Sequence, residues 1–483
     1  MSLTKRTVTG VLWRGSSNIL VTILNFAILA VLARILMPSD FGLMAMILIV
    51  TGFVSILADL GLSAAIIQKQ NITREQLSTL FYLNLLLGIA LAALCFALSG
   101  VLASFFKHQE LAGLLKVISL TFLISSGGQV FDSLLQKEMS FGLLFKIDIV
   151  EMIIYGAVAI VFALWGFGVW SLACGFIMRV IVRVLLLWIT ASQRPGFIFN
   201  LKAVRGYLHF GIYIFGDRVL NYFNRNLDNI LIGRMLGVEA LGFYTLAYSL
   251  MLMPVSKIAS SVSSVIFPAF SIVQHDNKKI REGYLQVVKY ISLLTFPMMA
   301  GLFTTAPEFI MSAYGPKWQP SILILQIFCL VGAVQSVGTT VGSVLYAKGR
   351  PDLSFKWGCL AVVVNATAFI IGVRWGILGV TCAYMIAALV LEPTIQGWTN
   401  RLIDLRWPEF LKQFTIQAKG AGLIIIAILA LKILLKKQLG VAPLFVLMAS
   451  VAVGVLIYSA LLFFTGKDLL IQGAGYLRGK IKR

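Results

Sequence analysis

The sequence predicts an all-α polytopic membrane protein of about fourteen transmembrane helices, and three observations predict it. Of 483 residues, 59% are hydrophobic and only 12% are charged, where a soluble domain averages about 45–50% apolar and about 25% charged. The mean hydropathy is +0.93. Apolar runs of the roughly 20 residues that a spanning helix needs recur along the whole chain. Basic residues gather in alternate loops. Together these exclude an ordinary globular enzyme, a disordered chain and a disulfide scaffold.

The expected spans lie near 12–36, 41–66, 78–104, 111–136, 146–165, 168–190, 207–232, 240–268, 285–305, 321–347, 354–374, 376–398, 415–435 and 443–465. The first follows Lys5, Arg6 and Arg14. It is too long for a signal-peptide core and no small-residue cleavage site follows it, so it reads as a retained helix. The connections are short, which leaves no room for an inserted soluble domain.

Orientation follows from charge. With the N-terminus inside, 24 basic residues fall in cytoplasmic segments. Seven fall on the opposite side: Lys107, Arg234, Lys317, Arg374, Lys432, Lys436 and Lys437. Positive residues mark the cytoplasmic side of membrane proteins, so both termini are expected in the cytoplasm. The same rule accounts for the net charge of +21 without invoking nucleic acid.

The seventh span carries Asp217, Arg218, Asn221, Asn224, Arg225, Asn226, Asp228 and Asn229. A surface-lying amphipathic helix is the alternative reading. Removing this span, however, would move most later basic loops to the outside. It is therefore read as a true span with an inward polar face.

An internal repeat organises the chain. Ala33-Arg34-Ile35-Leu36 with Gly42 matches Gly233-Arg234-Met235-Leu236 with Gly242, at an offset of 200. Trp165-Gly166 with Ala173 matches Trp375-Gly376 with Ala383, at an offset of 210. Six helices separate the copies, so both share one orientation and form a parallel repeat. The expected parts are an N-terminal lobe (1–200, helices 1–6) and a C-terminal lobe (201–405, helices 7–12). Residues 406–483 add helices 13 and 14 and a basic cytoplasmic tail. A central cavity between the lobes suits alternating access.

Nine basic residues fall in or at the spans: Arg14, Arg34, Lys116, Arg179, Arg183, Arg218, Arg225, Lys257 and Lys289. A charge at the bilayer centre costs roughly 2.5–3.5 kcal/mol on insertion scales, so such residues should face a cavity or a partner. Snorkelling suits Arg14, Arg34 and Lys289, and Arg183 can snorkel inward while Arg179 sits deeper. On the seventh span Arg218, Asn221, Arg225 and Asp228 form one stripe. It is either a cavity lining or an ion-pair seam with Asp217 or Asp59. Intramembrane acids are fewer: Asp59, Asp132, Asp217, Asp228 and Glu392, with Asp148 and Glu151 near the inner edge. The expected site therefore takes an anion on Arg218, Arg225, Asn221, Arg179 and Lys257, because guanidinium groups bind phosphate through two-point hydrogen bonds. Asp228 and Asp59 are the expected carriers of a coupling H+ or Na+.

No catalytic residue, metal site or cofactor is expected. The five cysteines sit in apolar runs without a paired motif. No P-loop, H-E-x-x-H or G-x-S-x-G is present. Ser256, Ser260, Ser261, Ser263 and Ser264 read as helix-packing residues. The largest outer loop, about 306–320, offers only Glu308 and Lys317.

Several segments resemble the Wzx-type polysaccharide-export flippases of the multidrug/oligosaccharidyl-lipid/polysaccharide superfamily, in the colanic-acid and lipopolysaccharide group. They begin at Phe41 (FGLMA), Asp59 (DLGLSAAIIQ), Asn226 (NLDNILIGRMLG), Ala240 (ALGFYTLAY, with Pro254 beyond) and Tyr346 (YAKGRPDLSF). The resemblance implies a two-lobed fold of fourteen helices. It implies transfer of an undecaprenyl-diphosphate-linked oligosaccharide from the cytoplasmic to the outer leaflet of a bacterial plasma membrane, alongside a polysaccharide polymerase and chain-length proteins. It places Asp228 and Asn229 in a signature and Arg234 at an outer turn. The alternatives are a drug or metabolite antiporter on the same fold and a membrane enzyme of glycan assembly.

Overall fold

The computed structural model describes residues 3–59, 63, 66–67, 72–191, 193–200, 205–438 and 442–465. Within these, the side chains of 3–16, 18–19, 59, 205–218, 220, 259–261, 263–265, 436–438 and 464–465 are left undescribed. Among the described residues the chain is helical with no strand. The long helices are α1 (Leu3–Ile35), α2 (Pro38–Asp59), α3 (Arg74–Phe106), α4 (Glu110–Lys137), α5 (Phe141–Leu164), α6 (Val169–Thr190) and α7 (Arg205–Met235). They continue with α8 (Val238–Ile272), α9 (Asn277–Ala313) and α10 (Ser321–Gly338), which restarts as the short α11 (Val341–Ala347). Then come α12 (Pro351–Gly372), α13 (Gly376–Leu402), a short α14 (Trp407–Lys412), α15 (Thr415–Gln438) and α16 (Pro443–Thr465). Eleven stretches of the described residues are long and apolar enough to cross a membrane, one of them running through both α12 and α13.

Each expected span is met by a helix, and the differences are local. The tenth breaks at Thr339–Thr340. The seventh is helical over 31 residues, yet its polar content keeps it out of the apolar stretches. The ninth is 37 residues long, about 55 Å of helix, so it outruns the hydrocarbon core. Glu308, expected in an outer loop, therefore lies inside α9. Lys432, inside the expected thirteenth span and counted with the outer basic residues, lies in α15 and pairs with Glu308.

Local chemistry sets the helix ends. Thr73 accepts from the Gln76 amide while Gln76 Oε1 accepts from the Thr73 amide, a reciprocal cap on α3. Asp276 caps α9 through the Lys279 amide. The turn between α5 and α6 uses Gly166 and Gly168 at φ 82° and 53°, and its counterpart between α12 and α13 uses Gly376 at φ 69°. These left-handed conformations favour glycine because a side chain would clash with the backbone.

The chain divides into two compact units, Met1–Gly242 and Phe243–Arg483. In the first, Leu77, Leu80, Phe131, Leu134, Leu144 and Leu187 form a core drawn from α3 to α6, closed by edge-to-face contacts of Trp188 with Phe81 and Phe131. Helix α7 lies along α2: the Tyr222 hydroxyl donates to the Ile49 carbonyl, and Phe53 packs on the Tyr222 and Phe223 rings. The start of α8 meets the start of α2 through the predicted repeat. A methyl group on Gly42 would strike the Val238 carbonyl, and one on Gly242 would strike the Pro38 carbonyl. The two contacts exchange under the offset of 200, so the repeat is visible in the packing as well as in the letters.

In the second unit, Ile280, Tyr284, Val288, Val344, Leu345, Ile395 and Phe410 form the corresponding core. Helices α15 and α16 fasten to α9: Gln417 donates to the Lys289 carbonyl, Tyr458 donates to the Leu293 carbonyl, and Lys432 reaches both Glu308 and the Thr304 carbonyl.

Candidate functional site

The first unit holds a cavity of about 440 Å3 bounded by α2, α4, α5 and α6. It adjoins a second space of about 280 Å3 that shares Ser55, Phe122, Ser125, Phe176 and Val180. The combined wall carries Thr51, Ser55, Thr121 and Ser125. Each of these hydroxyls donates to a carbonyl three or four residues earlier in its own helix. Their donor is thus spent and their lone pairs remain to accept from a hydroxylated ligand. Phe122 and Phe176 supply apolar faces beside them.

One end of this cavity is ionic. Helix α5 presents Asp148 and Glu151 one turn apart, and α6 presents Arg179 and Arg183 at the same kind of spacing. Arg183 sits at the centre. Its Nη1 donates to Asp148 at 2.9 Å and to Glu151 Oε2 at 3.0 Å, and its Nη2 donates to Asp132 at 2.9 Å. Arg179 donates through Nε and Nη2 to Glu151 Oε1 at 3.0 and 2.7 Å. Ser17 and Gln136 complete the carboxylates of Asp148 and Asp132. Glu151 is 2% exposed and Arg179 40% exposed. Low-dielectric surroundings demand such pairing, because an isolated buried charge costs several kcal/mol.

This arrangement alters several expectations. Arg183 does not snorkel: three carboxylates hold it in place. Arg179 lines the cavity as expected, but as half of an ion pair. Two guanidinium groups face three carboxylates here, so this cavity is not electropositive. The pairing was legible in retrospect, since Asp148/Glu151 and Arg179/Arg183 are one-turn spacings on two helices joined by a tight turn.

Of the other predicted site residues, Arg225 and Asn221 are exposed on α7. Asp228 is buried, and its Oδ1 accepts from the Asn229 amide, so the expected stripe is not uniformly open. Lys257 is exposed on α8. The side chains of Arg218 and Asp59 lie outside the described residues. Lys116 stands 5.5 Å over the Phe96 ring, a partner the sequence did not suggest. Among the described residues no group of acidic, histidine or cysteine side chains could hold a metal ion by clustering, and all five cysteines are free thiols.

Comparison with known proteins places this geometry. The family described as "Polysaccharide biosynthesis protein" matches residues 31–323. The chain is 32% identical over 397 residues to the lipopolysaccharide biosynthesis protein WzxC of Escherichia coli K12, covering 81% of this chain and 80% of that protein. It is 33% identical over 396 residues to the teichuronic acid biosynthesis protein TuaB of Bacillus subtilis 168, covering 80% and 81%. Among solved structures it is similar to the lipid II flippase MurJ in an inward closed conformation, with a TM-score of 0.75 at 17% identity over 94% of this chain and 100% of that one. The last likeness carries the fold, and the first three carry the family. The chain is a multi-pass membrane protein of the polysaccharide biosynthesis protein family.

Proposed function

We propose that this protein is a flippase that carries lipid-diphosphate-linked oligosaccharide units across a bacterial plasma membrane for surface polysaccharide assembly. The family and the fold support transport of that cargo, and the named relatives serve lipopolysaccharide and teichuronic acid biosynthesis. Both termini face the cytoplasm on the basic-loop asymmetry.

The observation that carries the reading is the half-exposed Arg179. A guanidinium has five N–H donors in a rigid fork. Two of them go to Glu151, and the rest remain on a side chain that lines the cavity. Glu151 thereby aims the open edge of Arg179, while Arg183 keeps Glu151 itself paired. A diphosphate binds that edge through two-point hydrogen bonds, and sugar hydroxyls donate to the serine and threonine oxygens along the wall. Arg225 and Asn221 of α7, with Arg218 and Lys257, are further contacts for the charged cargo. Asp228 and Asp59 are proposed to handle a coupling proton or sodium ion.

The test is glycan export in a deletion strain complemented with Arg179→Lys or Arg179→Ala. Lysine keeps the charge and loses the fork, so both variants are expected to insert normally and to accumulate lipid-linked units on the inner leaflet. Full export by Arg179→Ala overturns the assignment. An antiporter of drugs would instead change a resistance profile and leave the polymer intact. A polymerase defect would leave unpolymerised units on the outer face.

A further inference from the structure

The corner after α13 gathers hydrogen-bond donors that nothing in the described chain satisfies. Helix α13 ends at Leu402, and Asp404 follows in a left-handed conformation at φ 53°. The Leu405 amide turns back to donate to the Asn400 carbonyl at 2.9 Å, and buried Ile403 and Leu405 fasten the turn. Arg401 stands before this turn and Arg406 after it. Both line one cavity of about 570 Å3, together with Gly397, Asn400, Asp404 and Trp407. Both arginines are exposed, and among the described residues neither side chain has a hydrogen-bond or ion-pair partner. Asp404, the one acid in the lining, is engaged elsewhere: its Oδ2 accepts from Asn277 Nδ2 at 2.7 Å, and its carbonyl accepts from Arg281 at 2.9 Å.

A buried amide joins the two guanidinium groups. Asn400 is 3% exposed, and its Nδ2 has no acceptor. A relay of hydrogen bonds leaves that end unspent. The Tyr284 hydroxyl donates to Gln396 Oε1 at 2.7 Å, and Gln396 Nε2 donates to Asn400 Oδ1 at 2.7 Å. Asn400 has used its oxygen, so what remains is an N–H group. Buried polar groups are nearly always paired, and the partner missing here is an acceptor.

Position selects that acceptor. The cavity lies at the helix ends that the basic loops assign to the cytoplasm. Beside it, Trp407 and Leu411 of α14 are 40% and 57% exposed, and tryptophan favours the headgroup level of a bilayer. Phe410 is buried and stacks on Tyr284 with ring centres 6.4 Å apart, which anchors α14 on α9. We propose that this corner binds the phosphodiester of an anionic glycerophospholipid of the phosphatidylglycerol class. Arg401 and Arg406 hold the phosphate oxygens through their planar forks, and Asn400 Nδ2 donates to a headgroup oxygen. The acyl chains run past Trp407 and Leu411. Basic pockets at the cytoplasmic ends of spanning helices suit such headgroups. The site shares no residue with the cargo cavity, so its test needs no flipping assay.

The experiment uses the full chain in nanodiscs of phosphatidylcholine, with or without phosphatidylglycerol. Native mass spectrometry reads the lipid retained on release, and the thermal midpoint reads stabilisation by it. The wild type is expected to retain phosphatidylglycerol in preference to phosphatidylcholine and to melt higher with it. Arg401→Gln combined with Arg406→Gln should weaken retention about tenfold or more and cancel the gain in midpoint. Each single change should give part of that loss, and the single variants decide if the double variant fails to insert. Lys356→Gln combined with Lys419→Gln removes the same charge from exposed positions elsewhere on that side and should leave retention unchanged. Equal loss in the two double variants overturns the site, because general surface charge would then suffice. So does the absence of a preference in the wild type, or normal retention without the two arginines. A midpoint gain from inorganic phosphate in phosphatidylcholine alone would assign the corner to a free anion. Displacement of the lipid by undecaprenyl diphosphate would assign it to the cargo. Either result overturns the phospholipid.

Discussion

The two units pair their intramembrane carboxylates in different ways. In the first, Asp132, Asp148 and Glu151 converge on one guanidinium, and Arg179 joins them from the cavity wall. In the second, Glu308 has a single lysine. The difference teaches where a membrane protein can hold structure and where it can hold function. A carboxylate shared by two guanidinium groups lets one of them work on a ligand without leaving a naked charge. A one-to-one pair has no such reserve and serves as a fastener.

The largest effect should come from Arg183. Replacing it with methionine leaves Asp132 and Asp148 without a cation while Glu151 keeps Arg179, and breaking a buried ion pair costs about 3–5 kcal/mol, so a loss in that range is expected. Arg179→Met should cost under about 2 kcal/mol, because Glu151 keeps its bond to Arg183. Thermal midpoints of the two variants in nanodiscs check the contrast. Equal losses would mean that the two arginines do not divide the work as described. A loss of export in Arg179→Met at near-normal stability would sharpen it.

Next comes the fastener. Glu308→Ala or Lys432→Ala should cost about 3 kcal/mol each, and either should loosen α15 from α9. The double change Glu308→Leu with Lys432→Met should recover most of the loss, since a well-packed apolar pair of similar volume often replaces a buried ion pair without penalty. Additive losses across the cycle would show that the two side chains do not act as a pair.

Much of the fold was legible in the letters for a simple reason. Lipid demands long apolar runs and satisfied backbones, so hydropathy reports helices almost directly. The repeat was legible at Gly42 and Gly242 because close backbone approach tolerates no side chain, and such positions keep glycine. The site was less legible. A charge in a span signals that a partner exists but not which one, because the partner comes from another helix. Arg183 was read as snorkelling for that reason, and Glu308 as a loop residue because the length of α9 was underestimated. Glu392 was visible only as one acid among several. The break at Thr339–Thr340 is something a hydropathy run does not reveal.

An exposed carboxylate gives the smallest effect and calibrates the others. Asp276 lies in water between α8 and α9, where it accepts from the Lys279 amide at 3.1 Å and meets Lys279 Nζ at 3.3 Å. The Lys279 backbone N–H is the main cause that holds its carboxyl below the usual aspartate range, and the Lys279 side chain adds to it. A carboxyl depressed in the folded state stabilises above its unfolded value, about 3.9, and loses that contribution as pH falls through the folded value. Amide-exchange protection of the first turn of α9 should therefore fall from pH 6 to pH 3 in the wild type. Asp276→Asn, which keeps a capping oxygen without the charge, should show little pH dependence there. Should the asparagine variant lose protection over the same range, the drop would belong to another group, and exposed and buried carboxylates would no longer be separable by this measure.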